Sequence, residues 1–534
     1  MKLYDLGKFY IDQLLKEKLN IKVHGVSIFK EDITNEGIEK DYFISGKIMN
    51  LVSYLATEDA SYLSVFDQLR PLLDKQPMKT WGMLYYLEGL YRLKKHNLLD
   101  KVKPIDDLNE ILHYKHFLNI ENMKLDHLPT NYYNVAFSIC KYRELLNLED
   151  HGFSDKILNH FINHVKTYSK AGFMDETNGF GRYDRYSLLT SSEIAMTLMD
   201  VGLEVPTFII EMIKKSKDIV LAMANKQGDG FTYGRSVGAY GDTGVHQILS
   251  TAYKLGLLTE EESHLSYAYM IKSLDKYYNF WLIDSNHLNI NAYDRQTDAY
   301  RHQRRSLGES ISILTQWIGI WKSYEDILYK PTTFAYKKHY TRLSEHPLRG
   351  LYTYNKQRLI TLGIISGAQQ YYKMASYQPI PQITGLMESP SINEPIYFPY
   401  LLIKGHYYIA HHHIKDIEFM DDSILITYHK LHRLDDFNKV LDYHFSVCIS
   451  IKDLNIGIEF NTEGFDELVL YLAFFEKGTI RNNQIILEKS KVDLIHIDKV
   501  LPHNLFKTNH GTYKSVFSIK TSSKQFGYKI SYKV

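Results

Sequence analysis

Residues 229–246, DGFTYGRSVGAYGDTGVH, set phenols, a guanidinium and carboxylates inside a run of glycines. Tyr233, Arg235, Tyr240 and Asp242 stand among Gly230, Gly234, Gly238, Gly241 and Gly244. Glycine at that density lets a backbone turn sharply and come close to a ligand. A second stretch, 293–309, YDRQTDAYRHQRRSLGE, spaces Arg301, Arg305 and Glu309 four apart, which on a helix puts all three on one face. A guanidinium beside a phenol can hold an acidic sugar and lower the pKa of the phenol. Without any chemistry, the same residues make a loop cap and a solvated, salt-bridged helix.

Two further polar stretches sit before helical patterns. Residues 175–187, DETNGFGRYDRYS, gather Asn178, Arg182, Asp184, Arg185 and Tyr186 in a glycine-containing turn. Asn131, in DHLPTNYYN, stands at a helix start, where a plain N-cap is the simpler reading. His246 falls inside a helical pattern and is expected to be structural. His411, His412 and His413 suggest a metal, but on a strand only His411 and His413 share a side. No cysteine or carboxylate cluster accompanies them, so neither a metal nor a cofactor is expected.

The elements that must position these residues change character once along the chain. As far as about residue 324, apolar residues recur at three- and four-residue steps, as in TWGMLYYLEGLYRLKK and FSDKILNHFINHVKTY. Thr259 ahead of Glu260, Glu261 and Glu262 marks a helix start, and Gly202 a helix end. Helices of similar length with short connectors predict a toroid of stacked helical hairpins. After Pro331 alternation takes over, in LDYHFSVCISIKDLNIGIEFN and similar runs, with turns at Asp421-Asp422 and Asn482-Asn483. Strands at short spacing without helices between them predict an antiparallel β-sandwich. The expected division is 1–330, a helical toroid carrying the cleft, and 331–534, the sandwich. The aromatic loop 371–395 could lean over the cleft as a wall.

Composition bounds the function. A chain of 534 residues exceeds one ordinary domain, and 44% apolar residues suffice for substantial cores. A net charge of +1 offers nucleic acid no basic field. Cys140 and Cys448 lie far apart in apolar patterns and read as reduced core residues. The amphipathic N-terminus lacks the apolar core of a secretory signal, and no apolar run approaches membrane-spanning length, so a soluble, cytoplasmic protein is expected. The 43 tyrosines suit clefts that stack sugar rings, although an AT-rich genome produces the same excess.

A helical toroid followed by a β-sandwich resembles the chondroitin, hyaluronate and alginate lyases, together with the heparinase II/III-like group. DGFTYGRSVGAYGDTG resembles their tyrosine turn, which implies that Tyr240 is the catalytic tyrosine, and YRHQRRSLGE resembles their arginine helix at Arg301 and Arg305. The stretch GRSVGAY is also similar to a family of uncharacterised function that carries a GRSxxY motif. The first resemblance implies cleavage of an acidic polysaccharide or oligosaccharide by β-elimination. Tyr240, Arg301, Arg305 and Glu309 would be catalytic; Asn131, Asn178, Arg182, Tyr186, Tyr233 and Arg235 would bind substrate. Where those lyases carry histidine, nine residues before the tyrosine, this chain has Phe231. Two alternatives stay open: a glycoside hydrolase with a carboxylate pair drawn from Asp184, Asp229, Asp242 and Glu309, and a saccharide-binding protein without catalysis.

Overall fold

The structure is a computed structural model that describes residues 2–17, 22–23, 26–27, 42–73, 78–102, 108–283, 287–288, 306–328 and 330–533. Its helices are α1 (Lys2–Glu17), α2 (Ile44–Glu58), α3 (Tyr62–Leu73), α4 (Thr80–Lys95), α5 (Leu108–Ile111) and α6 (Tyr132–Leu145). They continue with α7 (Phe153–Tyr168), α8 (Tyr186–Asp200), α9 (Thr207–Ala222), α10 (Ala239–Lys254), α11 (Glu260–Lys276) and α12 (Ser306–Lys322). The bounds of α4 and α7 are those of the apolar patterns that predict them. Thr259 caps α11 in a full capping box with Glu262, so the start signal lies where its chemistry requires.

Packing closes the even-numbered helices into a ring. Helix α2 packs on α4, α4 on α6, α6 on α8, α8 on α10, α10 on α12, and α12 returns to α2. Helices α1, α3, α7, α9 and α11 lie outside, each against members of the ring. An outer helix buries one stripe and wets the other, as α7 does with Ile157, Leu158, Phe161 and Val165 buried. An inner helix is enclosed on both sides: thirteen residues of α10 are buried, with Thr243, His246, Ser250 and Thr251 among them. The ring needs close approaches. A Cβ on Gly46 of α2 would lie 1.9 Å from the Gly82 carbonyl oxygen of α4.

Apart from two-residue strands among the helices, the strands follow from Lys337 onward. Lys337–Glu345, Leu348–Asn355 and Leu359–Ile364 form a three-stranded antiparallel sheet, and thirteen later strands form one antiparallel sheet around a separate apolar core. The architecture is an (α/α) toroid followed by an antiparallel β-sandwich. Asn482, between two of its strands, turns the chain with φ of 50°. A third core joins the halves, where Phe173, Leu188, Phe231 and Tyr269 meet Leu343, Leu351, Met374 and Tyr377. Among the described residues no helix is long and apolar enough to cross a membrane.

Two local expectations are corrected. His411–His413 are not on a strand: they connect His406–Ile409 to Ile414–Phe419, so strand alternation does not sort them. His411 Nε2 instead accepts from the Gly367 amide at 2.8 Å, and His412 Nδ1 from Arg349 at 2.8 Å. Gly228, Gly230 and Gly241 serve packing between protein backbones, while Gly234, Gly238 and Gly244 face side chains. The Phe231 amide donates to the Gly241 carbonyl at 3.1 Å, and a Cβ on Gly241 would lie 2.1 Å from the Phe231 oxygen. Helix α10 therefore begins inside the glycine run, at Ala239.

Because backbone cannot yield as a side chain can, Gly46→Ala should destabilise the fold by about 1–3 kcal/mol. Urea unfolding checks this, and an unchanged midpoint would contradict the α2–α4 contact.

Candidate active site

The first turns of all six inner helices open into one cavity of about 950 Å³. Each contributes lining residues near its N-terminus: Lys47 from α2, Trp81 and Tyr85 from α4, Tyr132 from α6, Tyr186 from α8, Tyr240 from α10, Glu309 and Ser312 from α12. Helix N-termini carry unsatisfied amide donors and partial positive charge, so their convergence favours an anion. The hairpin Leu118–Asn119/Lys124–Leu125 forms one wall, and Gln369 and Tyr371 from the strand-rich half form part of another. The Tyr371 ring lies 4.8 Å from the Arg182 guanidinium, whose Nε donates to the Gly367 carbonyl at 3.1 Å. The loop 371–395 thus begins in the wall of the cleft.

Asn131 occupies the N-cap position of α6 but makes no capping bond with its side chain. It is 2% exposed, its Oδ1 has no partner among the described residues, and it lines the cavity. A buried amide left unsatisfied costs free energy that a ligand can recover. Trp81, Tyr85 and Tyr132 stand on the same side: Trp81 lies 5.9 Å from Tyr85 and 6.3 Å, edge-on, from Tyr132. Together they offer half-buried ring faces of the kind on which the apolar face of a sugar stacks.

Tyr240 lies in the first turn of α10 and borders the cavity. The Arg185 guanidinium is centred 5.8 Å from its ring and donates to its backbone carbonyl. Gly244 makes room for this, since a Cβ there would stand 2.7 Å from Arg185 Nη1. Arg185 also lies over the Tyr186 ring at 4.7 Å, and Tyr186 bonds Ser236 at 3.1 Å. Sequence reasoning named Arg185 in the turn RYDRYS before α8 but gave it no role in the site.

Arg235 lines the cavity with its charge already matched. It pairs with Glu176 and, at 2.7 Å, with Asp184, both fully buried. Desolvation pushes the Glu176 carboxyl above the usual carboxylate range, against the pull of Arg235. Equally desolvated, Asp184 is nonetheless held below the usual carboxylate value by Arg235 and Arg182, and the Tyr377 hydroxyl donates to it at 2.9 Å. This ion triad ties the loop before α8 to the strand-rich half.

Of the other expected residues, Glu309 borders the cavity with Lys47 Nζ at 3.5 Å, and Asn178 and Arg182 border it at the loop 175–187. Tyr233 does not: it is 1% exposed in the interface core, edge-on to Phe231 at 6.1 Å, with Gly363 against its ring. Arg301 and Arg305 lie outside the described residues. Phe231 is 1% exposed and does not border the cavity. The histidines that line it among the described residues, His116 and His127, stand exposed at the rim. His246 is buried on α10 with Nε2 2.7 Å from Ser273, and burial pushes its pKa down to about 3. Asp229 and Asp242 are buried around Lys276, at 2.7 and 2.9 Å, and do not border the cavity.

Compared by sequence, the chain matches no family model and no curated protein. Compared by fold, it is similar to the chondroitin AC lyase of Streptomyces coelicolor A3, solved in complex with chondroitin sulphate. That match covers 100% of this chain and 79% of the lyase, with 9% identity and a TM-score of 0.55. A Paenibacillus xanthan lyase matches with 8% identity and a TM-score of 0.51; the chain spans 56% of its length. The fold is that of polysaccharide lyases.

Glu193, from α8, lines the cavity, and burial pushes it up from 4.5 to about 7 although Arg185 and the Asn134 amide favour the anion. Between those values the folded chain keeps a proton the unfolded chain has lost, so this group costs stability as pH rises through the window. Glu193→Gln should therefore gain melting temperature over the parent progressively from pH 5 to pH 8. A pH-independent offset would contradict it.

Proposed function

We propose that the chain cleaves an acidic polysaccharide or oligosaccharide by β-elimination in this cavity, with Tyr240 transferring the proton. The observation that carries the reading is that Tyr240, with Arg185 beside its ring, and Asn131, its Oδ1 unbonded among the described residues, border one cavity walled by aromatic rings. A uronic acid releases its C5 proton once its carboxylate is neutralised, and the Nδ2 donor of Asn131 and the amide donors of the converging helix N-termini suit that task. The Tyr240 phenolate takes the C5 proton, the C4–O4 bond breaks as the C4–C5 double bond forms, and the phenol returns the proton to the departing O4. A guanidinium beside a phenol stabilises its phenolate, which is the role assigned to Arg185 and, by resemblance, to Arg301 and Arg305. Glu309 orients one of these cations. Lys115 and Lys124 on the hairpin wall and Arg182 opposite add positive charge suited to an acidic chain. The same reading takes 1–330 as the domain that carries the cleft and 331–534 as the one that walls it.

One observation favours a second reading. A glycoside hydrolase needs a carboxylic acid still protonated near neutral pH, and Glu193 meets that requirement with Glu309 in the same cavity. Asp184, Asp229 and Asp242 are engaged in buried ion pairs and do not serve it.

The test is a panel of acidic glycans followed by ultraviolet absorbance, which only an unsaturated uronide produces. Tyr240→Phe keeps the ring and should lower turnover about 10²–10⁴-fold while binding persists. Arg305→Ala should instead weaken binding of acidic sugars. New reducing ends without absorbance, with Tyr240→Phe fully active and Glu193→Gln inactive, would replace this reading with the hydrolase.

A further inference from the structure

A second cavity, of about 370 Å³, occupies the other end of the toroid, among the last turns of the inner helices. A collar of Lys47, Tyr85, Glu193, Gln247, Ser312 and Gln316 borders both cavities, so they lie in series along one lumen. Lys95, His96, Asp200 and Lys254 line the second cavity and are exposed, which gives it its own mouth.

The groups in this cavity have a definite hydrogen-bonding bias. The hydroxyls of Ser250 and Thr251 donate to the Gln247 carbonyl at 3.2 and 2.7 Å, Thr315 donates to Ile311 at 2.7 Å, and Ser323 to Gly319 at 3.0 Å. Each has used its proton on its own helix and keeps lone pairs for an incoming donor. Among the described residues, Ser192, fully buried, has no partner for its Oγ, and Gln247 none for its Oε1.

Charge at the mouth is matched except at one group. Arg92 pairs with Glu88 at 2.7 Å, Lys95 with Asp200 at 2.9 Å, and Lys322 with Glu58 at 3.6 Å. Arg92 and Lys95 also bond main-chain carbonyls of Asn50 and Asp200. Lys254, in the last turn of α10, has no ion-pair or hydrogen-bond partner among the described residues. Partial desolvation at the rim lowers its pKa against the pull of Asp200 and Glu325, with Lys95 and Lys322 adding to the shift.

We propose that this second cavity is a binding site for a monosaccharide-sized polyol bearing one carboxylate or phosphate, with the anion on Lys254 and the hydroxyls donating to the serine and threonine oxygens. Cavities of this size hold small ligands. The site does not rest on any reaction in the first cavity, and binding alone reads it.

Isothermal titration of the full chain with glucuronate, glucose 6-phosphate and glucose tests it. At least one of the two anions should bind saturably, about tenfold or more tighter than glucose, and the tighter one identifies the headgroup. Lys254→Glu and Lys254→Met should each weaken that anion about tenfold or more, with the melting temperature unchanged because no ion pair or hydrogen bond among the described residues is lost. Asn131→Ala, in the first cavity, should leave it bound. Failure of both anions to bind, glucose binding as tightly, or loss in Asn131→Ala with retention in both Lys254 variants would overturn the proposal.

Discussion

The structure depends on the contact by which α12 returns to α2 and closes the inner ring. Closure removes solvent from both faces of six helices at once. The side turned to the lumen must then be polar enough to line a cavity and bonded well enough to tolerate burial. Helices α8 and α10 meet this with serines and threonines, most of which bond their own carbonyls. Where closure demands contact nearer than a side chain allows, glycine faces backbone, as at Gly46 against Gly82.

The same closure gives the lumen two chemically distinct ends. Six N-termini meet at one mouth, where amide donors, cations and aromatic rings gather. At that mouth the strand-rich half does more than cover the ring. The ion triad of Arg235 with Glu176 and Asp184, reached by Tyr377, fixes the loop before α8, and with it Arg185 and Tyr186. Breaking one partner of a buried charged set leaves the rest uncompensated, so this anchor is costly to disturb.

Much of the fold was legible in the sequence because its signals are local. The apolar step pattern gave α4 and α7 to the residue, the Thr259 box gave the start of α11, and alternation gave the strands. Which helices form the inner ring was not legible, since a lumen-facing serine and a solvent-facing serine read alike. The site was legible in part. Tyr240, Asn131, Asn178, Arg182, Tyr186, Arg235 and Glu309 do border one cavity. Tyr233 lies instead in the core between the halves, since an aromatic residue in a glycine run fits an interface as well as a cleft. Arg235 looked available because its two carboxylate partners lie 51 and 59 residues away. Trp81 and Tyr85 were hidden inside an amphipathic pattern that equally describes a core.

The central claim, elimination at the N-terminal mouth of the lumen, is tested most directly by cleaving an acidic oligosaccharide in water enriched in heavy oxygen. Mass spectra of the products should then show masses that sum to that of the substrate, with one unsaturated fragment and no label at the cleaved bond. Incorporation of a labelled oxygen, with product masses exceeding the substrate by one water, would contradict it.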